Sequence, residues 1–369
     1  AQGAGVTIAI LDTGVDCTHP DLAANCVAGW NFYDNNSNTA DVNGHGTTVA
    51  GAAAAATNNG IGVAAVAGQS RIMPIRIADP SAYATWSTVA QGITYAADHG
   101  ARIANLSYAN MAGSSTIQSA AQYMKSKGGL VVVSAGNNGV DEGFAPTTTM
   151  IPVSASDSND LITSWSSFGS FVAVAAPGLN IYTTGPSGSY WNCWGTSFAA
   201  PVTAGTLALM MSAKPTLANT QIESLLYSTA VDLGTAGRDK YYGYGRINAA
   251  AAVQAAAATS TVTDTQAPTA AISAPLASAS VSGLVTVNVS ASDNVGVVRV
   301  DLRVNGQTVA SDTTSPFGFS WDSTKTANGM ANLTVVAYDA AGNAGSSATV
   351  AVNVANTAAS TTADTTPPA

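Results

Sequence analysis

The 369-residue chain is poor in charge, cysteine and histidine. Charged side chains make up only 9% of it, and 21 acidic against 12 basic residues leave a net charge of −9. That balance argues against a nucleic-acid partner, since binding to a phosphate backbone rests on clustered Lys and Arg. Although 46% of residues are hydrophobic, no continuous apolar run reaches the about 20 residues needed to span a bilayer. The apolar content is ample for a sizeable core. Three cysteines exclude a disulfide scaffold. Cys17 and Cys26 flank a short loop and are placed to pair in an oxidising compartment, whereas Cys193 is left over and reads as a small, partly buried apolar residue. No signal peptide precedes the first apolar strand, so the chain reads as mature or trimmed.

What is present is a set of glycine-marked polar residues. In Gly195-Thr196-Ser197-Phe198-Ala199-Ala200-Pro201 one serine sits between a turn-forming glycine and an alanine-rich helix. A serine hydroxyl is a weak nucleophile at neutral pH and needs a base, a carboxylate to orient that base, and donors for the oxyanion. The β-branched run 6–11 reads as a buried strand that ends at Asp12, and the carboxyl ends of parallel strands are where α/β folds place their chemistry. Asn43-Gly44-His45-Gly46-Thr47-Thr48-Val49-Ala50-Gly51 offers His45 as the base at the start of another alanine-rich helix. Of the other two histidines, His19 reads as structural and His99, ahead of Gly100, as a helix C-terminal cap.

The order Asp12, His45, Ser197, each in its own context, resembles the subtilisin-like serine proteases, or subtilases. The segments that carry the resemblance are Ile10-Leu11-Asp12-Thr13-Gly14-Val15-Asp16, Gly44-His45-Gly46-Thr47-Thr48-Val49-Ala50-Gly51 and the serine segment above. A fourth, Val132-Val133-Ser134-Ala135-Gly136-Asn137-Asn138-Gly139, resembles the stretch that supplies the oxyanion-hole side chain, here Asn137. The resemblance implies a secreted endopeptidase: His45 takes the Ser197 proton as it attacks a peptide carbonyl, and Asp12 holds the imidazole. It also implies protein or peptide substrates, a propeptide removed during maturation and a monomeric enzyme. Compared with the family pattern, a segment before the first strand is missing. The runner-up reading is an inactive binding or adhesion protein, against which the intact set of Asp12, His45, Asn137 and Ser197 argues. Ester or polyester hydrolysis is a side activity open to the same machinery.

Apolar β-rich runs recur at 71–77, 102–107, 130–134, 150–154 and 171–175, with helical stretches at 85–99, 116–127, 197–212 and 219–228. This alternation predicts an α/β fold, a parallel sheet with helices on both faces, as subtilases have. An alanine-rich helix at 249–258 closes a first domain spanning 1–258, and 259–268 is a Thr-rich, Pro-ended linker. From 269 to 355 alternating strands with turn signals at Asp293-Asn294, Asn305-Gly306 and Asn328-Gly329 predict a small all-β sandwich. Ser292-Asp293-Asn294-Val295-Gly296-Val297 and Ala337-Tyr338-Asp339-Ala340-Ala341-Gly342-Asn343 resemble bacterial immunoglobulin-like modules, read here as a spacer. The 356–369 tail repeats the linker's Asp-Thr-x-x-Pro pattern, which suggests that further modules once followed.

In subtilases the substrate lies as a strand between two enzyme strands. By that resemblance Leu106, Ser107, Tyr108 and Ala109 form one rim and Ser134, Ala135 and Gly136 also bind substrate, with Ala109 narrowing the mouth of the primary pocket where relatives have glycine. The opposite rim, 81–86, lacks the customary glycines, and Trp86 with Tyr108 would line an outer apolar pocket. Phe198 stands where many relatives carry an oxidisable methionine. The resemblance further implies a structural calcium ion held by Asp21 and the loop residues Thr57, Asn59, Ile61 and Val63, oxygen donors suited to that ion.

Overall fold

The computed structural model describes residues 1–259 and 264–357. Most of the tail, with its repeated linker pattern, and part of the expected linker lie outside the described residues. Contacts divide the chain into two compact units, Ala1–Thr261 and Val262–Ala369.

In the first unit seven strands form one sheet: β1 (Thr7–Asp12), β2 (Trp30–Asn31), β3 (Arg71–Arg76), β4 (Ile103–Leu106), β5 (Leu130–Ser134), β6 (Ile151–Ser156) and β7 (Val174–Pro177). Their order is β2-β3-β1-β4-β5-β6-β7, and every neighbouring pair is parallel. The chain leaves β1 toward β3 on one side and returns to its other side with β4. β1 is therefore the switch point of the sheet, where α/β folds open a crevice at the strands' carboxyl ends.

Side chains alternate along each strand, and the two faces make separate cores. Ile8, Ile10, Ile72, Ile103, Val132 and Val153 pack against α1 (His45–Ala54), α4 (Thr196–Ala213), α5 (Asn219–Ser228) and α6 (Ala249–Ala258). Ala9, Leu11, Ile75, Leu106, Val131 and Val133 face α2 (Trp86–Asp98) and α3 (Ser115–Ser126). The α/β expectation of helices on both faces is met. α4 is apolar all round because it is a core helix: 72% of it is buried.

Two readings shift. The expected strand at 171–175 begins only at Val174, because Ser170 and Phe171 lie in a turn closed by the Val172 N–H bonding back to the Gly169 carbonyl oxygen. An antiparallel hairpin, β8 (Ile181–Thr184) and β9 (Tyr190–Cys193), had no clear alternation in the sequence.

The second unit is a β-sandwich. β10 (Thr269–Ala274), β12 (Leu284–Ser292) and β15 (Gly318–Asp322) form one sheet. The other runs β11 (Ser280–Val281), β18 (Val350–Val354), β16 (Gly329–Asp339), β13 (Val297–Val304) and β14 (Gln307–Asp312), with β17 (Ala344–Ser346) paired to β16. Val287, Val300, Leu302, Phe319, Trp321 and Val335 fill the space between. The folded part runs past residue 355. The Asn356 amide oxygen accepts from Gly283 N–H at 3.0 Å and from the Ser323 hydroxyl at 3.1 Å.

Cys17 and Cys26 form a disulfide across a separation of nine residues. The bridged loop contains His19 and Asp21, both fully buried. Closing so short a loop in the unfolded chain removes entropy equivalent to about 2–3 kcal/mol. The double replacement of Cys17 and Cys26 by serine is therefore expected to lower the unfolding temperature of the first unit by roughly 5–10 °C in calorimetry. An unchanged temperature would mean that the loop's hydrogen bonds alone hold it closed.

Candidate active site

Asp12 ends β1 and is fully buried. Its Oδ1 accepts from the Thr13 N–H at 2.8 Å and from His45 Nδ1 at 2.8 Å. A carboxylate can only accept, so Nδ1 carries the proton and Nε2 is left as the basic nitrogen. Asp12 Oδ2 is buried without a hydrogen-bond partner. His45 is the first residue of α1, and the helix start must come very close to β1 for this bond to form. At Gly46 a Cβ would stand 1.9 Å from the Gly14 carbonyl oxygen and 3.0 Å from Asp12 Cβ, so only glycine fits. Burial alone would push the His45 pKa down. The Asp12 charge and hydrogen bond, with Asp41 adding a smaller pull, hold it above its ordinary 6.5.

Ser197 is the second residue of α4 and partly exposed. Its hydroxyl donates to the Ser107 carbonyl oxygen at 3.3 Å, turned toward the segment beyond β4 rather than toward His45 Nε2. The contact is reciprocal, because the Ser107 hydroxyl donates to the Ser197 carbonyl oxygen at 2.8 Å and itself accepts from Asn105 Nδ2 at 3.0 Å. That carbonyl is free because its helical donor would be residue 201, and Pro201 has no N–H.

Asn137 lies just beyond β5. Its amide oxygen accepts from the Thr196 N–H at 2.9 Å and the Thr196 hydroxyl at 2.8 Å, and that hydroxyl accepts from Gly136 N–H at 3.1 Å. With the oxygen held, the amide N–H groups are directed away from Thr196. Asn137 Nδ2 stands beside Gly195, where a Cβ would come within 3.3 Å of it and where φ is +135°. The Ser197 N–H belongs to the first turn of α4, where no intrahelical acceptor exists. The Asn137 amide N–H and the Ser197 N–H thus both lie beside Gly195 at the start of α4.

Leu106, Ser107, Ser134, Ala135 and Gly136 are buried at or just beyond the carboxyl ends of the neighbouring strands β4 and β5. Tyr108 and Ala109 follow, half-buried. The Tyr108 ring meets His45 edge-on, centroids 6.5 Å apart, and its buried hydroxyl has no partner. Burial, and then the charges of Asp12, Asp41 and Asp79, push that phenol far above its usual range. Trp86 is 45% exposed and lines a depression with Asn110, Gly113, Ser114 and Phe144, a lining that does not include Tyr108. The segment 81–86 is a capped turn rather than a strand. Asp79 Oδ1 accepts from the Ser81 and Tyr83 N–H groups, both at 2.9 Å, Ala82 has φ +65°, and Thr85 caps α2.

Of the proposed calcium set, Asp21, Asn59 and Val63 come together. Asp21 Oδ1 accepts from Asn59 Nδ2 at 2.6 Å and Oδ2 from Val63 N–H at 2.9 Å. Ile61 is exposed, its N–H donating to Asn59 Oδ1 at 3.2 Å, and Thr57 packs closely on Gly68. His19 Nδ1 accepts from Asp21 N–H at 3.1 Å while Nε2 lies 3.0 Å from the Ser189 carbonyl oxygen, and His99 caps α2 at the Tyr95 carbonyl oxygen, 2.8 Å away. Sequence reasoning missed Thr196, which orients Asn137, and Asp41. The available signals were a hydroxyl at the helix start beside the nucleophile and a carboxylate in the turn that enters a helix.

Residues 3–245 match the model of the subtilase family, and residues 268–335 match that of a bacterial Ig domain. Thermitase from Thermoactinomyces vulgaris is 44% identical over 256 residues, spanning 69% of this chain and 90% of its own. Subtilisin Savinase from Lederbergia lenta is 38% identical over 254 residues, 68% of this chain and 92% of its own. A solved structure of proteases from Pseudoalteromonas arctica PAMC 21717 aligns with a TM-score of 0.62 at 32% identity, covering 69% of this chain and 91% of that one. With two thirds of its length inside the family model and its site built at the switch point of the sheet, the chain belongs to the subtilase family.

Proposed function

We propose that Asp12, His45, Asn137 and Ser197 carry out the serine endopeptidase chemistry of this subtilase. The observation that carries the assignment is the 2.8 Å bond between Asp12 and His45 Nδ1, which leaves Nε2 unprotonated on the side of the ring away from the carboxylate. In the reaction the Ser197 hydroxyl leaves the Ser107 carbonyl oxygen and donates to that nitrogen instead. His45 then accepts the hydroxyl proton as Oγ adds to the peptide carbonyl, and returns it to the leaving amine as the acyl-enzyme forms. Water repeats the sequence to release the acid. Asn137 Nδ2 and the Ser197 N–H donate to the tetrahedral oxyanion. The disulfide and the immunoglobulin-like unit support an extracellular setting, and peptide substrates would lie along residues 106–109.

The loop around Asp21 supports a structural calcium site. At Gly62 a Cβ would stand 2.0 Å from Asp21 Oδ2, so the loop wraps that carboxylate closely. Asp21, the Asn59 amide oxygen and the carbonyl oxygens of Thr57, Ile61 and Val63 would hold the ion, a hard-oxygen set that fits calcium once the Asn59 amide is turned over. The ion would tie the loop to the disulfide-closed segment.

Replacing Ser197 by alanine is expected to abolish both labelling by a fluorophosphonate and cleavage of casein, read by mass spectrometry. Labelling that persists at another residue would overturn the assignment. Asn137→Leu should lower kcat about 10²–10³-fold with KM little changed, the loss that subtilisin shows without its oxyanion-hole asparagine. Because His45 is held above 6.5 and must be neutral to act, the acid limb of kcat/KM should lie above 6.5 and move down in Asp12→Asn. In stability the sign is the reverse: the Asp12–His45 pairing contributes fully below 6.5 and is lost as pH rises through the folded value. EDTA should lower the unfolding temperature of the parent chain, and that chelator-dependent difference should vanish in Asp21→Asn.

A further inference from the structure

Asp41 lies in the turn ahead of α1, and its carboxylate gathers five hydrogen bonds. Oδ1 accepts from the Thr13 hydroxyl at 2.8 Å, Asn43 N–H at 3.0 Å and Gly44 N–H at 2.8 Å. Oδ2 accepts from Thr47 N–H at 2.8 Å and the Thr47 hydroxyl at 2.5 Å. Both hydroxyls pass the connection on. Thr13 Oγ1 accepts from Gly46 N–H at 3.0 Å, and Thr47 Oγ1 accepts from Asp16 N–H at 2.9 Å. A helix cap needs one or two such bonds. Here a single carboxylate ties the residue after Asp12, the turn at Asp16 and both sides of His45 along α1 into one unit.

That arrangement has a chemical purpose. The His45–Asp12 bond joins two elements, the end of β1 and the start of α1, and its length is set by how those elements sit. Hydrogen bonds inside either element do not fix their separation, whereas the Asp41–Thr13–Gly46 relay spans it. The charge also sits at the amino end of α1, where the helix dipole favours an anion. We propose that Asp41 is a positioning residue of the catalytic site, holding the helix start that carries His45 against the strand end that carries Asp12.

The groups that face His45 are few. Asp12 approaches from β1, Asp41 from the turn before α1, the Tyr108 ring from the segment after β4, and the Phe198 ring from α4, with centroids 6.3 Å from His45. Tyr108 stays protonated, held so by burial and by Asp12, Asp41 and Asp79. Asp41 is therefore the second negative charge on the imidazole, and it supports the raised state of His45 behind Asp12. The proposal rests on the assignment of Asp12, His45 and Ser197 as the catalytic set, which Ser197→Ala tests separately.

The test is kcat and KM on a chromogenic peptide amide across pH, per active site titrated with fluorophosphonate, for the full chain and for Asp41→Asn, Asp41→Glu and Thr13→Val. In Asp41→Asn an amide that can accept at one atom only must replace a carboxylate accepting at two, so several bonds fail and the charge is gone. The expected result is a fall in kcat of roughly ten- to a hundredfold per titrated site, KM within about twofold of the parent, and an acid limb moved to lower pH. Asp41→Glu keeps the charge and should retain the parent acid limb even where kcat falls. Thr13→Val breaks the relay and leaves Asp41 in place, so it reads the positioning role if Asp41→Asn does not fold. Its kcat should also fall, with the acid limb near that of the parent. The proposal is overturned if folded Asp41→Asn keeps the parent acid limb, or if either Asp41→Asn or Thr13→Val keeps the parent kcat per titrated site. A lower unfolding temperature with unchanged kinetics would make Asp41 a loop cap and nothing more.

Discussion

Everything at the site hangs on how closely the amino end of α1 can approach the carboxyl end of β1. The Asp12–His45 bond requires backbone of one element to lie against backbone of the other, and the space where a side chain would stand at Gly46 is taken by the Gly14 carbonyl. No amount of favourable charge could substitute for that missing Cβ. With the approach made, burial and the Asp12 carboxylate act on the same imidazole in opposite directions, and the carboxylate prevails. Ser197 and Asn137, the proposed nucleophile and oxyanion donor, arrive independently, from α4 and from just beyond β5, at the edge to which the parallel sheet delivers its strand ends.

Much of this could be read before any coordinates, for a physical reason. Parallel strands buried on both faces are written as continuous β-branched runs, and β1, β4 and β5 were legible in that way. The four glycine-marked segments were legible because close backbone approach admits almost nothing else. The parts that could not be read depend on tertiary partners. Phe171 and Val172 are as apolar as a strand but precede the ladder: both are buried on the α2 and α3 side of the sheet, and the chain first joins β6 at Ala173, whose N–H donates to the Pro152 carbonyl oxygen. Trp86 and Tyr108 are both large, partly exposed rings near the crevice, yet Tyr108 turns to His45 while Trp86 opens α2 beside Phe144. Side-chain direction at such positions is set by neighbours distant in sequence. Asp41 was half legible for a related reason: a carboxylate in the turn that enters a helix reads as a cap, and Asn43, Gly44 and Thr47 supply that local part, but the Thr13 hydroxyl just beyond β1 is distant in sequence and leaves no local mark.

The second unit illustrates a different kind of legibility. Its alternating strands emerged from period-two burial, clearest along Thr269–Ala274 and Leu284–Ser292. Its edges did not, because they are set by side chains of the loops. Asn356 satisfies groups on Gly283, Ser323 and Asn328, and Asn343 donates both to the Asp264 carbonyl oxygen at 2.8 Å and to Asp339 Oδ2 at 2.7 Å. These residues sew the ends of the chain segment to the sandwich from outside the regular strands.

The proline in α4 has a mechanical meaning. By withholding one amide, Pro201 opens a socket at the Ser197 carbonyl, and the Ser107 hydroxyl plugs it while the Ser197 hydroxyl rests on Ser107. The helix that carries Ser197 and the rim proposed to hold the substrate are thereby buckled together at two points, both between Ser107 and Ser197. When the Ser197 hydroxyl turns to His45 in the proposed mechanism, its contact with the Ser107 carbonyl oxygen is given up and the bond from the Ser107 hydroxyl to the Ser197 carbonyl oxygen remains to join the helix start to the rim. A catalyst gains reproducibility of aim in this way from the removal of one hydrogen bond.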